Sequence, residues 1–225
     1  MQYKFYYRVQ NDYTTFTAKE WNRYYFYKYF KDKKYTKAAI AGIWGNIAAE
    51  SLGGNPGQVE GGQTIPSTNS DGVPTSAALR GGFGFIQWTD ASEPYSNKLL
   101  NYSIDKNIAW YNGYLQCKLI YKELKNSESW YPRNGYNYTT KEYIKLTDYD
   151  EATHAYFEER VRGTWSTNRT TAASEFMETD FSSQPDEPTG SDISYTINNG
   201  SGGGSGDIPF SHTWLLDLYN RHGFF

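Results

Sequence analysis

The chain has 225 residues, a net charge of −3 and a sequence pI near 5.7, with 38% hydrophobic and 18% aromatic residues. That length supports one good core with an appendage, and the core must lean on 22 Tyr, 12 Phe and 7 Trp rather than on aliphatic side chains. The charge balance lacks the basic excess of a nucleic-acid binder, no run approaches the roughly 20 apolar residues of a membrane span, and the single Cys117 excludes an intrachain disulfide.

The N-terminal "MQYKFYYRVQNDY" has no apolar h-region, so the chain is read as made in a cytosol without a signal peptide. Residues 1–16 are Tyr-rich and read as an extended arm. Thr17 and Glu20 in "TAKE" form a capping box that opens a helix through "WNRYYFYKYFKD". Thr36 caps a second helix, whose apolar positions Ala39, Ile40, Ile43, Trp44 and Ile47 follow the i, i+3, i+4, i+7 spacing of one buried stripe. Glu50 continues that stripe at the last turn, and Gly53, Gly54 and Pro56 then stop the helix. The negative end of a helix dipole and a partly apolar wall both favour a protonated carboxyl there. That is the form a general acid needs.

Residues 52–80 are rich in Gly, Pro, Ser, Thr and Asn, a length of loop that is usually functional or mobile. "GGFGFIQWT", residues 81–89, reads as a short aromatic strand or turn. Its glycines remove side chains where a backbone approaches another chain or a ligand. Gln87 offers a donor and an acceptor to sugar hydroxyls or an acetamido group, and Trp88 offers a ring face. Further helices are expected at about 94–102, 110–126, 139–146, 150–162 and 169–179, with Cys117 on an apolar face. Glu158 and Glu159 beside Arg160 and Arg162 read as an ion-pair cluster. From about residue 182 the composition is that of a flexible linker, 183–206, followed by a short apolar segment, 207–225, that reads as a docking piece. His154, His212 and His222 are scattered and no HExxH or Cys cluster exists, so neither a metal nor another cofactor is expected.

Two motifs in tandem narrow the reading. "AAES" at a helix end, then "NPG", then "GFGFIQWT" about thirty residues on resembles the lysozyme superfamily, in particular goose-type lysozymes and lytic transglycosylases. The likeness is closer to the tail-tip lysozyme domains of bacteriophages, especially short-tailed phages of Gram-positive hosts. Those read "TKxAIxGxxGNxxxES", "NPG" and "GFGxxQWT", with a later Glu-Arg pair. The matching residues here are Thr36 to Ser51, Asn55 to Gly57, Gly82 to Thr89 and Glu159-Arg160.

The resemblance implies an α+β, mostly α, lysozyme-like fold over 17–182 with a small Gly-rich hairpin. It implies that Glu50 is the general acid at the bond between N-acetylmuramic acid and N-acetylglucosamine. It implies substrate contacts at Ser51, Gln87, Trp88, Tyr156, Glu159 and Arg160, and a setting in a virion tail acting on the host wall. A second carboxylate sits about 5 Å from the acid in retaining enzymes and about 6.5–9.5 Å in inverting ones. Gly81 and Gly82 occupy the place of the chicken-type Asp, which leaves Glu60, Asp71 and Asp90, with Glu60 first. The expected partners are peptidoglycan and, through 207–225, other tail proteins. Two alternatives stay open: a lytic transglycosylase on the same fold, and a non-catalytic tail protein that binds glycan or a receptor.

Overall fold

The computed structural model describes residues 2–89, 94–125, 136, 138–161, 163–190 and 193–199. Among them are seven α-helices and one two-stranded sheet: β1 Gln2–Tyr7, α1 Lys19–Asp32, α2 Lys37–Glu50, α3 Lys98–Lys106, α4 Gly113–Lys125, α5 Thr140–Tyr143, α6 Tyr149–Tyr156, α7 Asn168–Glu178 and β2 Ser194–Asn199. The fold is α+β and mostly α. No described helix is long and apolar enough to cross a membrane.

The centre of the fold is α2. Thr36 caps it as expected, its Oγ1 accepting from the Ala39 N–H at 3.1 Å. The buried surface is wider than the single stripe read from the sequence, because Ala38 to Ile47 are all buried. A helix apolar on every side must be wrapped on every side, and α1, α6 and α7 do this. Two glycines set how closely. A Cβ at Gly42 would strike the Ala152 backbone of α6 at 2.5 Å, and one at Gly45 would overlap the Arg169 carbonyl oxygen of α7. Both helices therefore pack backbone to backbone on α2.

Aromatic rings fill the core, as the composition requires: Phe26 packs on Trp44 at 5.4 Å and on Phe85 at 6.3 Å, and Tyr3 stacks on Tyr114 at 5.1 Å. Cys117 is fully buried, and burial raises its thiol pKa well above the ordinary range.

Three expectations need correction or refinement. Thr17 and Glu20 do not form a capping box. Ala18 is the N-cap of α1, with no side-chain cap, and Glu20 instead pairs with Arg23 one turn on. The expected extended arm, 1–16, is extended at Gln2–Tyr7 but packed into the fold, because Tyr3, Phe5 and Tyr6 of β1 lie inside the core. Residues 183–206 are not linker throughout. Ser194–Asn199 forms β2, antiparallel to β1 in the register Tyr3↔Asn198 and Phe5↔Thr196. Sheet formation here needs a partner about 190 positions away, which no local composition signals. The 207–225 segment lies outside the described residues.

Candidate active site

Glu50 is the last residue of α2. Ser51, with its hydroxyl donating to the Ile47 carbonyl at 2.7 Å, closes the helix. Leu52, Gly53 and Gly54 then take positive φ of 53°, 96° and 90°. This run of left-handed residues reverses the chain within three positions. At Gly54 a Cβ would meet the Trp44 ring at 2.5 Å, so glycine is required on both counts. The reversal delivers "NPG" to the chain just after β1. The Asn55 Nδ2 donates to the Arg8 carbonyl at 2.7 Å, while its Oδ1 accepts from the Arg8 and Gly57 N–H groups at 3.0 Å each. This motif is a clamp that fixes the loop leaving Glu50.

The loop next pairs with the glycine-rich segment. Val59 bridges Phe83, and Phe83 exchanges two backbone hydrogen bonds with Trp88, at 3.1 and 3.0 Å, across the turn of residues 84–87. The buried Gln116 of α4 ties the hairpin down: its Oε1 accepts from Phe85 N at 2.8 Å, and its Nε2 donates to the Pro56 and Trp110 carbonyls at 2.7 and 2.9 Å. Gly84, at φ 76°, leaves the room that Gln116 takes, since a Cβ there would lie 2.7 Å from its Oε1. The glycines are thus explained by close approach.

Between helix end and hairpin lies a cleft of about 390 Å³ whose lining includes Glu50, Glu60, Gln87, Ile86, Tyr13 and Val161. Glu60 is held in place by the hairpin: its Oε2 accepts from Gly82 N at 2.9 Å, and its own N–H donates to the Gly82 carbonyl at 2.8 Å. The Gln87 Nε2 donates to the Gly84 carbonyl at 2.8 Å. Tyr13 is 79% exposed at the cleft.

Glu50 is not set against a plain apolar wall. Its Oε1 pairs with Nη2 of Arg169 at the start of α7. The side-chain exposure is 22% for Glu50 and 6% for Arg169. Arg169 Nη1 also donates to Asn46 Oδ1 at 3.2 Å, and the guanidinium lies over Phe157 at 4.9 Å. Asn46 is itself locked, with Nδ2 donating to the Gly42 and Thr153 carbonyls at 2.9 and 3.0 Å. Phe157 opens a π-helical turn, Phe157–Val161, that continues α6 and ends at the cleft with Val161. A π turn inside a helix often marks a functional site.

The expected site residues divide accordingly. Glu50, Glu60 and Gln87 share the cleft. Asp71 stands in a separate exposed turn, organised by Asn69 Oδ1 accepting from the Asp71 and Val73 N–H groups at 3.0 Å each. Asp90 lies outside the described residues. The ring face read into Trp88 is not available: the residue is 6% exposed, and its indole N–H donates to Glu123 Oε2 at 3.1 Å. Ser51, Tyr156 and Glu159 are buried too. Arg160 donates through Nη2 to the Glu123 carbonyl, which fastens the π turn to α4.

Sequence reasoning missed Arg169 and Tyr13. A signal for Arg169 existed. It shares the spacing 169, 172, 173, 176 with buried Ala172, Ala173 and Phe176, and a cation on an apolar stripe demands a buried partner.

A family model described as phage tail lysozyme matches residues 21–179, which contain Glu50, Glu60, the hairpin and Arg169. Morphogenesis protein 1 of Bacillus phage B103 is 33% identical over 138 residues, 61% of this chain and 32% of that protein. The chain thus spans about a third of the length of that relative.

Proposed function

The chain belongs to the phage tail lysozyme family, and we propose that it is a muramidase that opens the host wall locally from a phage tail. The observation that carries this reading is that Glu50, at a helix end, and Glu60, in the loop bonded to the hairpin, line one cleft. A glycosidase needs an acid on one side of the scissile bond and a carboxylate on the other. Glu50 gives its proton to the glycosidic oxygen. Glu60, held by Gly82, accepts a proton from a water that attacks C1. The exposed Tyr13 ring stacks on a sugar, the role that buried Trp88 cannot fill. Gln87, its Nε2 spent on Gly84, offers its carbonyl oxygen to a hydroxyl or acetamido N–H.

The name of the Bacillus phage relative, a morphogenesis protein, supports a place in the virion. Residues 207–225 are the proposed contact with other tail proteins. Clearing of purified peptidoglycan tests the reading. Glu50→Gln keeps the shape and removes the proton, so activity should fall by about 10² to 10⁴. A folded variant that keeps more than about a tenth of wild-type activity removes Glu50 from the mechanism.

A further inference from the structure

We propose that Arg169 is a positioning residue for Glu50: its buried guanidinium fixes the carboxyl group at the cleft and faces the negative charge that appears there when the proton leaves. The proposal rests on the reading of Glu50 as the acid.

Glu50 sits at the end of a helix, before three residues of positive φ and beside an open cleft. Left alone, such a side chain would sample several rotamers, and a catalytic group must be held close to one. Arg169 supplies the hold. It is itself packed in place: 5% exposed, stacked over Phe157 at 4.9 Å and bound to Asn46 at 3.2 Å. Asn46 and Glu50 are one turn apart on α2, so the planar guanidinium spans that turn and grips both. Gly45, immediately before Asn46, lets the Arg169 backbone come close enough for this.

The grip takes one carboxyl oxygen. The bond to Arg169 is made by Oε1, and the transferred proton is placed on the other oxygen, Oε2. As that proton passes to the glycosidic oxygen, the C1–O bond breaks and its electron pair stays on the leaving hydroxyl. The O–H electron pair stays on Glu50, opposite a cation already in place. Preorganised charge of this kind acts without reorganisation at the moment of reaction. A cation beside the carbonyl end of α2 is also favourable to the helix dipole, yet a buried pair is weak evidence for stability alone. The test must therefore separate the two roles.

Kinetics on soluble glycan strands would compare wild type, Arg169→Met, Arg169→Lys, Glu50→Gln and the double variant Glu50→Gln/Arg169→Met, each with its melting temperature. Expected is a kcat about 10- to 100-fold lower in Arg169→Met with KM within about twofold, a smaller loss in Arg169→Lys, and a double variant no slower than Glu50→Gln. A kcat within about twofold of wild type in folded Arg169→Met overturns the proposal, as does a raised KM at unchanged kcat. If the Met variant does not fold, Arg169→Lys decides, since an ammonium cannot bridge Asn46 and Glu50. Lowered kcat at unchanged KM supports positioning, and wild-type kcat overturns it. Activity retained by Glu50→Gln is a different failure: it removes the acid itself, and with it anything for Arg169 to position.

Discussion

At the residue scale, burial decides which of the aromatic side chains near the cleft can meet a sugar. Trp88 and Tyr13 differ most: 6% against 79% exposed. Trp88 anchors the hairpin through Glu123, which also pairs with Lys98 at 2.7 Å. Trp88→Ala should therefore cost about 3–5 kcal/mol of stability and leave chito-oligosaccharide affinity of the folded protein unchanged. Tyr13→Ala should leave the melting temperature within a degree or two and weaken that affinity by about three- to tenfold, roughly the 0.5–1.5 kcal/mol of an aromatic contact. Calorimetric titration of both variants checks the pair. An affinity lost with Trp88 and kept without Tyr13 reverses the assignment. The position of Glu50 at the end of α2 was legible because helix period is a local signal, whereas Glu60, which lines the same cleft, was named only through the family resemblance. Trp88 was misplaced because a ring beside a glycine turn looks the same whether it faces a ligand or a core. Exposure depends on α4, which arrives some 25 residues later.

At the scale of elements, the site depends on how closely three helices approach. Gly42 and Gly45 lie in the helix that bears Glu50, and each is filled by a neighbour's backbone. Gly45→Ala raises helix propensity by about 1 kcal/mol, but its methyl meets the Arg169 carbonyl and pushes α7 outward. Overpacking of this kind costs about 1–3 kcal/mol, so net stability should fall slightly. Activity should fall by more than stability accounts for, since Arg169 moves with α7. Activity at the wild-type level in a folded Gly45→Ala protein would show that the α2–α7 spacing does not bear on the site. All seven described helices overlap the expected ones, α3 lying about four residues later than expected, and Thr36 was identified as a cap. The π turn after α6 was not anticipated, because Phe157–Val161 carries no residue that distinguishes it from plain helix. Nor was the contact of α7 with Glu50, a pairing across 119 positions.

At the scale of the whole molecule, the two ends of the described chain meet. β2 pairs with β1, and Glu187 binds Lys4 and the Tyr6 hydroxyl. These contacts, the one to Lys4 first, hold the Glu187 carboxyl below the usual range. Composition alone reads this region as linker, because Gly, Ser, Pro and Asp dominate it. The pairing strand is short and its partner is at the opposite terminus. Ending the chain at residue 182 should lower the melting temperature by about 5 °C or more, at roughly 2–4 °C per kcal/mol for a chain of this size. The sign of the pH effect follows from the lowered carboxyl. Its contribution is present above the ordinary Glu range and is lost as pH falls through the native value, so the gap between full chain and fragment should narrow in acid. Equal melting temperatures at neutral pH would mean that the segment is dispensable.

The proposed mechanism predicts one chemical outcome above all, the end group left on the released glycan. With Glu50 as acid and Glu60 activating water, peptidoglycan digested by the protein yields muropeptides with a free N-acetylmuramic acid reducing end, which borohydride converts to the alcohol. Mass spectrometry of the digest, before and after reduction, reads this directly. Products one water lighter that resist borohydride carry a 1,6-anhydro end, and their predominance would contradict the account by showing that the muramic acid O6, rather than water, attacks C1.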